Sequence, residues 1–239
     1  MLFRSPLTGL GASNKVYDAN TVATLTGTAA ISPLAGDTVN LLGTAAGAFA
    51  TKNVGTAKPV AVSGLTLGGA DAANYALQLP ASLAADISAL ALSVTGLAAN
   101  NKVYDASTAA TLAGTAAVVP LAGDVVNVAG ASSATFADKN VGTAKAVSVA
   151  GLSLAGADAA NYTLQAPTGL TADITALALP VTGLAANNKV YDANTVAVLS
   201  GTAAINPLAG DTVSLLGTAA GTFADKNVGN AKPVSVGGL

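Results

Sequence analysis

Apolar and polar residues alternate with a period of two over short stretches along the whole chain. Ala23, Leu25, Gly27, Ala29 and Ile31 fall on one side of an extended segment, and Thr24, Thr26 and Thr28 on the other. A half-buried strand requires this arrangement. The same run returns as Ala110, Leu112, Gly114, Ala116 and Val118, and shorter ones follow at Leu90-Leu92-Val94, Val147-Val149, Leu152-Leu154 and Tyr162-Leu164. The phase slips by one residue at Ala150-Gly151, which predicts a bulge or a corner. Turn formers separate the runs at Pro33–Asp37, Lys52–Gly55 and Gly69–Asn74. Six or seven short strands between such turns predict an all-β fold, a small antiparallel β-sandwich. A β-grasp module is the alternative. It needs one helix of about ten residues, for which Leu83–Ala91 is the candidate, weakened by Asp86, Ile87 and Ser88.

The runs recur in tandem. The tetrapeptide KVYD stands at Lys15–Asp18, Lys102–Asp105 and Lys189–Asp192, each 87 residues after the last, and the surrounding sequence repeats with it. This period divides the chain into a first copy over 1–88, a second over 89–175 and a third over 176–239. A length of 87 residues is enough for each copy to hold its own core. Met1–Ser5 has no similarity to the start of the other copies, and copy three lacks counterparts of Asp158–Thr175, so the sequence reads as a piece of something longer. The recurrent ALAL(S/P)VTGLAANN joins copies without a Gly/Ser-rich spacer. Neighbouring modules are therefore expected to abut stiffly, as in an extended rod.

Composition narrows the chemistry. Apolar residues make up 51% of the chain, but there are only five Tyr, four Phe, one Met and no Trp, so cores must be built from Ala, Val and Leu. Every acidic residue is Asp, which favours turns over helices. A net charge of −2 provides no basic stripe for phosphate backbones, and no nucleic-acid partner is expected. Lys52, Lys139 and Lys226 recur at loop positions and read as solvated. The longest uncharged stretches, such as Ala106–Gly123 and Ala193–Gly210, contain Thr and Gly and do not resemble a membrane-spanning helix. MLFRSPL lacks the apolar segment and cleavage site of a secretion signal, so a signal for export would lie elsewhere.

KVYDA, a Gly36-Asp37 turn, F-A-(D/T)-K-N-V-G with a further Lys three residues on, (D)AANY-x-LQ and a closing ADI(S/T)A together resemble the YDG-type repeat domain. The resemblance covers nearly the whole chain. It implies extracellular, β-rich stalk or adhesive material in large bacterial surface and secreted adhesins of the filamentous-haemagglutinin-like kind, with no established enzymatic activity. Here the signature reads YDA, with Ala19, Ala106 and Ala193 in place of the family glycine. If that glycine is left-handed, Ala would be strained there.

Candidates for chemistry are few. Without His or Cys, a histidine-based triad and imidazole or thiolate metal sites are ruled out. The Asp residues are scattered rather than paired, and no catalysis is expected. Calcium is the one cofactor with candidate ligands: Asp86 and Asp173 near the joints, with Asn100, Asn101, Asn187 and Asn188 beyond. No glycine-rich calcium loop accompanies them. Lys15, Tyr17 and Asp18, with Lys102, Tyr104, Asp105, Lys189, Tyr191 and Asp192, form a structural motif in which Tyr fills the core and Asp caps a turn. A row of sugar-stacking Tyr is a weaker interpretation, since Phe49, Phe136 and Phe223 look internal. The Asn161-Tyr162-Thr163 sequon has no counterpart at Asn74-Tyr75-Ala76. The expected function is therefore that of stalk repeats of a cell-surface or secreted bacterial adhesin that contacts glycans or proteins of host or neighbouring cells. The alternative is a carbohydrate- or calcium-binding array.

Overall fold

The computed structural model describes residues 2–81 and 83–239. The fold is all-β and repeats with the sequence. Copy one forms a five-stranded sheet in the order Lys15–Val16, Ala84–Ser88, Gly55–Gly68, Asn40–Phe49, Val22–Ala23. Copy two repeats that order with Lys102–Val103, Thr171–Thr175, Gly142–Ala150, Ser133–Phe136 and Ala109–Ala110. In copy three Val196–Ala197, Ala220–Phe223 and Val234–Gly237 form a three-stranded sheet. Each copy adds a two-stranded ladder from its first alternating run: Thr8–Ala12 with Leu25–Ala30, Thr95–Ala99 with Leu112–Ala117, and Thr182–Ala186 with Leu199–Ala204.

Most ladders are antiparallel, but segments distant in the chain pair in parallel. Lys15 lies opposite Ile87 and Lys102 opposite Ile174, which brings the start of each sheet to its closing strand. Leu90–Ser93, at the junction, runs parallel to Tyr162–Gln165. Phe3–Pro6 pairs with Tyr75–Gln78 in the same way, although its sequence is unrelated. Backbone groups make such a ladder, so side-chain identity does not decide it. Met1 lies outside the described residues.

The helix of a β-grasp module does not form over Leu83–Ala91. Ala84–Ser88 and Leu90–Ser93 are strands, with Ala85, Ile87 and Leu92 buried on one side each. The helical turns among the described residues are the 3-10 segments Ala72–Asn74 and Ala159–Asn161. The predicted corner is at Gly151, where φ is +82° and an added Cβ would sit 2.2 Å from the carbonyl oxygen of Ala131. Only glycine allows the two backbones to approach so closely.

Two compact bodies cut across the sequence copies. One comprises Met1–Ala98, Leu112–Ala134 and Ser148–Gly169, and the other Ala99–Thr111, Thr135–Val147 and Leu170–Leu239. Within the first body a single core joins Tyr17, Ala23, Phe49, Val60, Ala85 and Ile87 of copy one to Leu92, Val126 and Tyr162 of copy two. Each copy was long enough to hold a core of its own, yet the core is shared. A copy built largely from Ala and Val has few large side chains to bury, and pooling those of two copies removes more apolar surface from water.

Candidate functional site

The KVYD motif begins as a loop closure within one copy. The Lys15 ammonium donates to Asp18 Oδ1 at 2.6 Å, to the carbonyl oxygens of Asn20 at 2.9 Å and Val22 at 3.0 Å, and to Asn20 Oδ1 at 3.1 Å. It also stands 5.6 Å from the centre of the Phe49 ring. Asp18 in turn accepts the Asn20 N–H, as the sequence predicts for a turn cap. Copies two and three repeat the closure through Lys102 and Asp105 and through Lys189 and Asp192. The residue after the Asp takes a left-handed backbone every time, with φ of 61°, 62° and 64° at Ala19, Ala106 and Ala193.

Tyr17 leaves its own copy. Its side chain is buried, and its hydroxyl donates to Asp124 Oδ2 of copy two at 2.7 Å. The Tyr162 hydroxyl donates to the same oxygen at 2.6 Å and accepts the Leu121 N–H. The two rings meet edge to face with centres 5.3 Å apart. Lys52 of copy one donates to Asp124 Oδ1 and lies 3.3 Å from Asp158 Oδ1. Next to it the Val54 N–H donates to Oδ1 of the buried Asn161. One carboxylate of copy two thus takes a tyrosine and a lysine from copy one and a tyrosine from its own copy, and we call this arrangement the clasp.

The electrostatics follow from burial and partners. The Asp124 side chain is 0% exposed, which by itself would raise its carboxyl, but Lys52, Tyr162 and Tyr17 outweigh burial and hold it at about 2. Burial and the bond to Asp124 push the Tyr162 phenol up to about 12, and the same causes raise Tyr17. Hydrogen bonds to Asp124 and Tyr17 raise the Lys52 ammonium. Each group is held in one protonation state across the neutral range, which suits a fixed joint.

The second body repeats the contact between copies two and three. The Tyr104 hydroxyl donates to Asp211 Oδ1 at 2.8 Å, and Lys139 donates to the same oxygen at 3.0 Å. Lys139 and Tyr104 hold the Asp211 carboxyl below its ordinary range. Tyr17 is 2% exposed and Tyr104 half-buried, whereas the position equivalent to Asp124 and Asp211 for Tyr191 lies beyond residue 239, and Tyr191 is exposed. In copy one the corresponding carboxylate, Asp37, accepts from Tyr75 of its own copy at 2.6 Å.

Several expectations change. Lys52 and Lys139 are clasp residues rather than solvated loop residues, because each reaches a carboxylate of the next copy; Lys226 is exposed. Buried Tyr17 presents no ring face for a sugar. Asn161, the sequon residue, is buried and bonded to copy one. Asp86 and Asp173 accept the N–H groups of Ala57 and Ala144, whose φ values are 47° and 48°, and so pin a bulge in each five-stranded sheet. Asn101 accepts the Asp173 N–H, and Asn100 and Asn187 bond to Thr111 and Ser200. No group of three acidic side chains arranged to hold a metal ion occurs among the described residues.

Asp124, Asp211 and Asn161 carry the joint, a role that the sequence alone does not assign them, since it marks Asn161 only as part of a sequon. Their signal was their recurrence at a fixed distance from the KVYD tyrosine, since Tyr17 and Asp37 are separated within a copy as Tyr104 and Asp124 are.

No helix among the described residues is long and apolar enough to cross a membrane. No curated protein and no solved structure matches the chain. The YDG domain model matches three times, over residues 5–83, 88–169 and 175–239. The chain therefore belongs to the YDG domain family.

Proposed function

We propose that the chain is a set of non-catalytic stalk repeats from a secreted or cell-surface bacterial adhesin of the filamentous-haemagglutinin-like kind. The observation that carries this reading is the clasp. The repeated motif is spent on joining one copy to the next, through Tyr17 and Lys52 on Asp124 and again through Tyr104 and Lys139 on Asp211. Joints of this kind, closed by aromatic burial and charge-assisted hydrogen bonds, transmit load from copy to copy. A stalk needs that property, and it holds adhesive contacts with glycans or proteins away from the cell that bears it.

Surface location is tested by treating intact cells of the source organism with protease and probing with an antibody against residues 1–239. Loss of the signal without cell lysis is expected, and full protection would remove the adhesin reading. A second test stretches the 239-residue chain between its ends by single-molecule force spectroscopy in the presence and absence of calcium. Equal rupture forces are expected, because Tyr17, Tyr162 and Lys52 already occupy the Asp124 carboxylate. A large calcium-dependent rise would favour the calcium-binding array.

A further inference from the structure

Two of the five tyrosines meet in the first body as a pair of phenols on one oxygen. The Tyr17 and Tyr162 hydroxyls donate to the same Asp124 Oδ2 at 2.7 and 2.6 Å, so the hydroxyl-bearing ends of both rings converge. The rings stand edge to face, with centres 5.3 Å apart and planes at 75°. Two phenols joined directly at the carbons beside their hydroxyls also hold their planes twisted apart, and also turn both hydroxyls towards one acceptor. Both side chains are buried, so neither ring meets a competing phenol from another molecule. Phe3 and Tyr75 make the same edge contact at 5.2 Å, but that pair has only one hydroxyl, which donates to Asp37.

We propose that this pair is a site of oxidative cross-linking, at which a carbon–carbon bond between the Tyr17 and Tyr162 rings makes the joint between copies one and two covalent. The oxidant is a ferryl haem, a one-electron oxidant formed from hydrogen peroxide. Each phenol loses one electron and its hydroxyl proton. Asp124 is the proton acceptor, since a phenol that has lost an electron is a far stronger acid than a carboxylic acid, and even a carboxylate held at about 2 takes its proton. The two phenoxyl radicals join at the carbons beside their oxygens. The hydrogens on those carbons are lost as protons while the oxygens regain protons, which restores two phenols. In balance two electrons and two protons leave the protein, and one hydrogen peroxide takes them up to become two waters. Under load, the bond removes residues 18–161 from the path of the force. That use rests on the stalk reading, whereas the chemistry rests on the clasp alone.

The test treats the dilute 239-residue protein with hydrogen peroxide and a small haem peptide, in a Tyr191→Phe background that removes the exposed tyrosine able to couple between molecules. The monomer is then examined by intact mass, dityrosine fluorescence and peptide mapping. A product lighter by two hydrogen atoms is expected, with one cross-linked peptide pair that joins Tyr17 to Tyr162. Tyr162→Phe, which keeps the ring and loses the hydroxyl, should lose the product. Asp124→Asn, which keeps both rings and loses the proton acceptor, should lower the yield severalfold. Should either variant not fold, the wild-type pair at Tyr17 and Tyr162 still decides, by comparison with the same chain in denaturant, where this link should be lost. Absence of the link in the folded protein, links spread over other tyrosine pairs, or an equal yield in denaturant would each overturn the proposal. The link is read on the isolated protein, so its absence leaves the protease test of surface location untouched, and failure of that test leaves the link standing.

Discussion

At the scale of single residues, the chain carries strain in the turn that its motif creates. Ala19, Ala106 and Ala193 hold a left-handed backbone that costs an L-residue about 1–2 kcal/mol and glycine much less. The family glycine thus fits the geometry observed, and alanine tolerates it because the lysine closure fixes the turn around it. Ala19→Gly should stabilise the protein by about 1 kcal/mol, read as a higher midpoint in chemical denaturation. The motif tyrosines should differ sharply. Tyr17→Phe removes a buried hydrogen bond to a carboxylate and should cost about 1–2 kcal/mol, whereas Tyr191→Phe, at an exposed position, should leave the midpoint unchanged. Ser5 occupies the place that Leu92 takes in copy two, fully buried and with its hydroxyl unpartnered. Removing that hydroxyl by Ser5→Ala should leave stability unchanged or raise it by about 1 kcal/mol in the same assay.

At the scale of elements, two-residue alternation made the strands legible, and the turn residues made the breaks between them legible. The corner at Ala150-Gly151 could be predicted because a phase slip has a steric cause, the close approach of Gly151 to the Ala131 carbonyl. The parallel ladders could not, because Phe3–Pro6 and Leu90–Ser93 share a backbone role without sharing side chains. Partner identity at the joint was hidden for a different reason. In a tandem repeat, a contact from Tyr17 to Asp37 in its own copy and one to Asp124 in the next leave the same trace in the sequence. The joint should also show itself in acid. Asp124 is held at about 2 in the folded protein, below the 3.8 of an ordinary aspartate. The unfolded chain therefore takes up its proton first as pH falls, so the contribution of Asp124 is complete above about pH 5 and is lost as pH drops towards 2. Melting temperatures measured across that window should fall steeply for the wild type and less steeply for Asp124→Asn. A slope unchanged by the substitution would mean that Asp124 does not govern the joint.

At the scale of the molecule, the shared core makes neighbouring copies interdependent. Tyr17, Phe49 and Ile87 pack with Leu92, Val126 and Tyr162, so loosening one copy exposes apolar surface of the next. Near-identical copies also invite strands to pair with the wrong neighbour during refolding. The most direct test of the clasp is a double-mutant cycle on Tyr17→Phe and Asp124→Asn by chemical denaturation, with a control cycle that replaces Asp124→Asn by Asp37→Asn. A coupling of about 1 kcal/mol or more is predicted between Tyr17 and Asp124, with none between Tyr17 and Asp37. Coupling to Asp37, or to neither carboxylate, would contradict a joint in which each copy is held by the next.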